Sequence, residues 1–252
     1  MGKGITRFHC VIWPAMLLAA ELPPPRAVWA HGYVQWSGAK MSKTAGTAVT
    51  LGEAIDRHGA DALRYFLLRE VGFDNDGDFT WERFDARYTA DLADTFGNLV
   101  SRSLAMIHRY RAGTVPRAER SIGSRFDSGV RDAVAVYQDW MNANRLADAA
   151  GQFIAIAASA NRYIEEQAPW KLAKEERQAE LDVVLASLTR TVVRLAILAY
   201  PFIPGKAEVI WGLVCPGLPL TAKSFEEAVL GVEGRTVGKP PILFPKPRLA
   251  PA

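Results

Sequence analysis

Leu181, Val184, Leu185, Leu188, Val192, Leu195 and Ala199 recur every three or four residues. That period puts them on one face of an α-helix, a stripe that must be buried against other helices. The whole segment after residue 80 has this character. Helices are expected from Trp81 to about Arg111, over Gly129–Asn142, Arg145–Glu166, Glu175–Tyr200 and Gly205–Val214. Thr80 can cap the first of them, and Gly113 and Pro116 end it. Short connections between such helices predict an antiparallel bundle. The run from Leu181 to Tyr200 carries Arg190 and Arg194. Each would cost roughly 2.5–3.5 kcal/mol at a bilayer centre, so it is not a membrane span.

The first 79 residues read differently. Ile5 to Glu21 forms a helical pattern with Pro14 as a possible kink. Val28 to Gln35 favours a strand through its Val, Trp and Tyr content. Thr50-Leu51-Gly52-Glu53 fits a capping box, which starts a helix at Leu51 that stops at His58-Gly59. Asp61 can cap another helix, running to about Glu70. The chain is therefore mainly α and divides into 1–79, mixed α/β; 80–230, helical; and 231–252, a tail whose proline-rich end from Lys239 is extended or disordered.

Of 252 residues, 49% are hydrophobic, enough for a substantial core. Thirty basic and 27 acidic residues leave a net charge of +3, which selects no partner. Arg102, His108, Arg109, Arg111, Arg117, Arg120 and Arg125 crowd into one stretch. Such a strip can follow a phosphate backbone or simply be a solvated helix face. Cys10 and Cys215 belong to no CxxC pair, so they encode neither a zinc knuckle nor a disulfide framework. This fits a reducing cytoplasm. Lys3 and Arg7 followed by the apolar run Cys10–Ala20 imitate a signal peptide ending at about Ala20, which keeps a secreted helical protein as one reading.

Lys40-Met41-Ser42-Lys43-Thr44 carries the clearest chemistry. Two lysines flank a hydroxyl, and Gly38 and Gly46 let the backbone bend around them. Ammonium groups held in such a loop stabilise the negative charge that grows as pyrophosphate leaves a triphosphate. Two other clusters have functional spacing. His9 and Trp13, four apart, share a helix face and can line a pocket for an apolar, sulfur-containing side chain. Asn98 and Arg102 are likewise one turn apart, and Trp170 follows Pro169. An amide, a guanidinium and a flat ring can read and stack an unpaired RNA base. Core packing of Trp13 and Trp170 is the alternative for each ring. Asp78, Asp91 and Asp94 are assigned capping or solvated roles.

The surrounding blocks resemble one family. Gly2-Lys3-Gly4-Ile5, Arg7-Phe8-His9, Trp13-Pro14-Ala15-Met16 and His31-Gly32-Tyr33-Val34 precede the lysine pentad. Asp61-Ala62-Leu63-Arg64-Tyr65, Asp76-Gly77-Asp78-Phe79, Asn98-Leu99-Val100-Ser101-Arg102, Asn161-Arg162-Tyr163, Glu166-Gln167-Ala168-Pro169-Trp170 and Pro201-Phe202-Ile203-Pro204 follow it. In order and spacing they resemble the methionyl-tRNA synthetases, class I enzymes that join methionine to tRNA through methionyl-adenylate. The resemblance implies a truncated α/β catalytic-domain remnant followed by a helical anticodon-binding domain. It implies catalytic roles for Lys43 and Lys40. It implies ATP contacts at Gly2, His31, Gly32, Val34 and Ser42, and a methionine pocket at His9 and Trp13. Asn98, Arg102 and Trp170 match readers of a CAU anticodon. ATP with Mg2+, methionine and tRNA are the implied partners, in the cytoplasm, with no zinc site in this stretch.

Two positions depart from the family pattern. Gly4 stands where the family usually has an aspartate facing the adenosine part of the ligand. Thr44 replaces the usual serine. None of His9, His31, His58 and His108 lies in a His-x-Gly-His motif. The resemblance thus covers about the carboxyl-terminal half of a complete synthetase, and the chain reads as a truncated product that is inactive alone. Its alternative is a stand-alone module that binds tRNA anticodons without catalysis.

Overall fold

A computed structural model describes residues 1–40, 50–72, 75–118, 124–220, 229 and 231–246. Among these, helix dominates. A short 3-10 turn, Lys3–Ile5, and a π segment, Phe8–Ile12, lead into α1, Trp13–Ala19. Pro14 lies in the first turn of α1, where its missing N–H matters least. The expected helix is therefore present but irregular, and none of its residues is buried.

The strand expected over Val28–Gln35 is shorter and shifted. β1 covers only Val34–Trp36 and pairs antiparallel with β2, Ala39–Lys40. Ser37 and Gly38, at φ 48° and 76°, form the turn between them. Positive φ at both positions matches the twist of a tight hairpin. On its other edge β1 pairs parallel with β3, Gly77–Phe79, in the register Val34↔Gly77 and Trp36↔Phe79. Trp36 stacks on Phe79, which meets Phe66 and Phe84 to form the local core.

α2, Leu51–His58, begins with the expected capping box. Thr50 Oγ1 accepts from Glu53 N at 3.2 Å, and the Glu53 carboxylate accepts from Thr50 N at 2.9 Å. α3, Ala60–Glu70, corrects one expectation. Its cap is Gly59, at φ 89°, rather than Asp61. Asp61 instead accepts from Gly205 N at 3.3 Å and Lys206 N at 2.6 Å, the free donors at the start of α10, Pro204–Val214. Proline at that helix's first turn and Ile203 at its cap supply no side-chain acceptor. A distant carboxylate takes that role.

Thr80 does cap α4, Trp81–Arg87, through Arg83 N. The helix continues as a π segment, Tyr88–Gly97, and then α5, Asn98–Arg111. The wider segment leaves carbonyls that side chains satisfy. Thr95 Oγ1 donates to Ala90 O at 2.7 Å, and Asn161 Nδ2 donates to Thr95 O at 2.9 Å. α6, Ser124–Asn142; α7, Leu146–Gln167; α8, Pro169–Lys174; and α9, Gln178–Ala199, complete the helical part.

α9 was expected to bury one stripe, yet Val183, Ala186, Ser187, Thr189 and Val193 outside that stripe are buried as well. It packs against α5, α6, α7, α8 and α10, so every side meets a helix. Its two arginines are held inside. Arg190 pairs with Asp127 and with Glu233 at 2.7 Å, and Arg194 lies 3.8 Å from Asp127. Residues 231–246 turn at Gly234, at φ 80°, and then follow this body without forming a helix. Val115 N donates to Arg235 O, Val237 N donates to Gly113 O, and Leu243 and Phe244 are buried. The end of the expected tail, 247–252, lies outside the described residues. None of the described helices is long and apolar enough to cross a membrane.

Candidate functional site: a nucleotide face and an RNA face

The first group of site residues gathers at the amino-terminal edge of the sheet. Gly2 forms a parallel bridge with His31. His31 N donates to Met1 O at 2.8 Å, and Lys3 N donates to His31 O at 3.0 Å. The His31 ring meets Gly32 O through Nδ1 at 2.8 Å. Gly32 is buried, and a Cβ there would lie 2.1 Å from the backbone oxygen of Asn75. Only a residue without a side chain lets the two backbones pass so closely.

His31 and Val34 line a cavity of about 640 Å³ together with Leu67, Val71, Arg145 and Leu146. It lies between the sheet, the end of α3 and the turn joining α6 to α7. Lys40 closes the hairpin at β2 and leads into the lysine loop. Ser42, Lys43 and the rest of that loop, 41–49, lie outside the described residues.

His9 and Trp13 do come together, with ring centroids 6.1 Å apart in an edge contact. His9 Nδ1 meets Ile5 O at 3.0 Å. Trp13 is 43% exposed, so it is not a core residue here. This pair is not part of the cavity that His31 and Val34 line.

At Gly4 a Cβ would fall 2.1 Å from the Tyr33 hydroxyl. The tyrosine ring thus takes the space an aspartate would start from. Lys3 lies 5.0 Å over that ring and 2.6 Å from Asp76. Asp76 also accepts from Tyr33 N at 2.8 Å and Gln35 Nε2 at 3.1 Å. Its carboxyl is held below the usual carboxylate range, first by Lys3 and then by the Tyr33 N–H. Sequence reasoning missed this Lys3–Tyr33–Asp76 cluster, because its members are separated by 30 residues or more and only opposite charge hints at the pairing.

The second group lies at one end of the helical part. Asn98 is exposed at the first position of α5, and Arg102 follows one turn later. Arg102 Nη2 pairs with Glu165 Oε1 at 2.6 Å, which brings α5 against the end of α7. Ala168, at φ 43°, makes a sharp turn between α7 and α8. Pro169 is buried at that turn, while Trp170 is 41% exposed rather than packed into the bundle. The Arg102 guanidinium thus meets the last turn of α7, the open Trp170 ring follows just beyond that helix, and Asn98 lies one turn back along α5. Glu165 was not foreseen; as an exposed acid it must give way if a base takes the guanidinium.

The basic strip between Arg102 and Arg125 is not one surface. Arg111 turns inward to Asp182 at 2.5 Å and to Gln178. Arg109 lies over the Tyr110 ring, and Arg120 lies outside the described residues.

Two family profiles match this chain in succession. One, described as tRNA synthetases class I (M), spans residues 1–104. The other, the anticodon binding domain of methionyl tRNA ligase, spans residues 112–246, more than half of the chain. The chain belongs to the methionyl-tRNA synthetase family. The run Cys10–Ala20 falls inside the synthetase match and lies mostly in the π segment and α1. A methionine–tRNA ligase of Caldanaerobacter subterraneus is 37% identical over 98% of this chain and 39% of its own length. That of Brucella suis is 37% identical over 98% of this chain and 48% of its own. The Mycobacterium tuberculosis methionyl-tRNA synthetase solved with methionyl-adenylate superposes with a TM-score of 0.87 at 32% identity, over 97% of this chain and 49% of that one. The chain thus spans between about two fifths and half the length of these relatives.

Proposed function

We propose that this chain takes part in ATP-dependent attachment of methionine to its tRNA, supplying the lysine loop and the anticodon-reading bundle. The observation that carries this reading is the succession of the two family matches, catalytic then anticodon-binding, along one continuous body. Residues 1–79 act as the carboxyl-terminal remnant of the catalytic domain. Residues 80–230 act as an antiparallel anticodon-binding bundle, with the extended segment from 231 as its strap. ATP enters as a substrate with Mg2+ on its phosphates. Lys43 and Lys40 stabilise the charge that builds up on those phosphates, and the hydroxyl of Ser42 donates beside them. Gly2, His31, Gly32 and Val34 hold the adenosine side, and His9 with Trp13 takes the methionine side chain. Asn98 and Arg102 hydrogen-bond an unpaired base of a CAU anticodon while Trp170 stacks on it. The work is that of the cytoplasm, where tRNA is charged.

The His-x-Gly-His histidines of class I chemistry are absent from these 252 residues, and Tyr33 fills the space beside Gly4. Both favour a second reading in which the chain alone binds anticodons without catalysis. Pyrophosphate exchange separates the two. No ATP–pyrophosphate exchange is expected from this chain alone, and exchange is expected to appear when a polypeptide carrying the remaining half of a relative is added. Exchange by the isolated chain would overturn the assignment of an incomplete catalytic centre. For the RNA face, Trp170→Ala is expected to weaken binding of an initiator tRNA by roughly 1–3 kcal/mol, the usual worth of one stacked base. Helical content by circular dichroism should stay the same. Unchanged affinity would refute the role of Trp170.

A further inference from the structure

Arg125, in the first turn of α6, and Arg162, on α7, carry guanidinium groups with no acidic partner among the described residues. Arg102 and Arg177, by contrast, are paired with Glu165 and Glu180. Arg125 and Arg162 line one groove of about 600 Å³ between the two helices. Its floor is the pair Phe126 and Tyr163, stacked with centroids 4.0 Å apart and planes 4° from parallel. The floor is fixed from below. Asp127, next to Phe126 in the chain, accepts from Ser187 Oγ at 3.1 Å and pairs with the buried Arg190. Ser159 spends its hydroxyl on Ile156 O at 2.8 Å, so it is not a free donor. Among the described residues, Glu166 is the one carboxylate lining the groove, beside the amide of Gln167. Two guanidinia against one carboxylate make the described lining of the groove positive.

The groove adjoins the RNA face. Arg162 precedes Glu165, the partner of Arg102, by three residues, or about 4.5 Å of helix rise. Three more residues reach the turn that carries Trp170. An RNA strand whose bases meet Asn98, Arg102 and Trp170 has its backbone within reach of this groove. A guanidinium presents a planar fork that matches two phosphate oxygens. Such contacts fix the register of the strand and add affinity without reading sequence.

We propose that Arg125 and Arg162 hold phosphates of the RNA backbone adjoining the anticodon bases, so that the α6–α7 groove is a sequence-independent extension of the anticodon face. This rests on the reading of Asn98, Arg102 and Trp170 as RNA contacts. The test uses the full chain and two anticodon stem-loops, one with CAU and one with an altered triplet. Affinity is measured by fluorescence anisotropy over a range of salt. Arg125→Ala and Arg162→Ala are each expected to weaken both RNAs several-fold by the same factor. Each should lower the slope of log affinity against log salt by about one. Arg125→Lys and Arg162→Lys should keep most of that slope, which a merely structural role would not predict. Undiminished affinity and slope in both alanine variants, with Trp170→Ala still impaired, would overturn this inference and leave the anticodon reading intact. A loss confined to the CAU stem-loop would also overturn it, since the arginines would then be reading bases. Failure of the unmodified chain to bind either RNA would overturn both.

Discussion

Gly32 sits where the backbone of residues 75 and 76 crosses it, with three backbone atoms less than 3 Å from where a Cβ would lie. None of these atoms belongs to a flexible side chain that can swing away. Gly32→Ala is therefore expected to lower stability by about 1–3 kcal/mol through overpacking. Gly52, in α2, is the control: its nearest neighbour to a built Cβ is the Thr50 hydroxyl at 3.9 Å. Gly52→Ala should raise stability slightly, because alanine is the better helix former. Urea titration of both variants checks the contrast. Gly4 differs from both. Its close neighbour is the end of the half-exposed Tyr33 side chain, which can rotate. An aspartate side chain is excluded there only while Tyr33 stays under Lys3.

Helix starts at Thr50 and Thr80 were legible because the capping oxygen and the N–H that donates to it lie within three residues of each other. The start of α10 was not, because its acceptor comes from Asp61, 144 residues earlier in the chain. Arg64 Nε reinforces the same junction by donating to Pro201 O at 2.8 Å. Asp61→Ala is expected to cost about 0.5–2 kcal/mol, the usual worth of a cap. The loss should show as faster amide hydrogen exchange at Gly205 and Lys206, on α10, rather than on α3, where Asp61 resides. Loss of protection confined to α3 would contradict the capping role. The π segment Tyr88–Gly97 is likewise invisible to apolar periodicity. It is set by what its carbonyls meet, Thr95 Oγ1 and Asn161 Nδ2, and by Gly97, which lets Phe244 approach its backbone.

The α/β part and the helical part are joined by an ionic network as well as by apolar packing. Glu70 on α3 takes Arg83 and Arg87 from α4, the latter through Nε at 2.9 Å. Arg87 also reaches Asp91, which accepts from Tyr65 at 2.7 Å. Burial pushes the Glu70 carboxyl up, but the two arginines more than offset this, so it lies below its ordinary value of 4.5. A carboxyl with a depressed folded-state pKa adds stability above its unfolded pKa and loses it as pH falls through the folded one. Stability should therefore decline as pH drops below about 4.5. Glu70→Gln should be less stable at neutral pH and show a shallower decline in that window, checked by thermal melts from pH 7 to pH 3. The sequence by itself determined the helical class, the change of character near residue 80, the local caps and the motifs that mark the family. Each of these depends on residues within a few positions of one another or on short blocks. The tertiary structure alone decided that α9 is buried on all sides, that Asp61 serves a helix other than its own, that Trp170 stays open and that Arg102 faces Glu165. These depend on which surfaces meet, and a periodic pattern records that a face is buried without recording what lies against it.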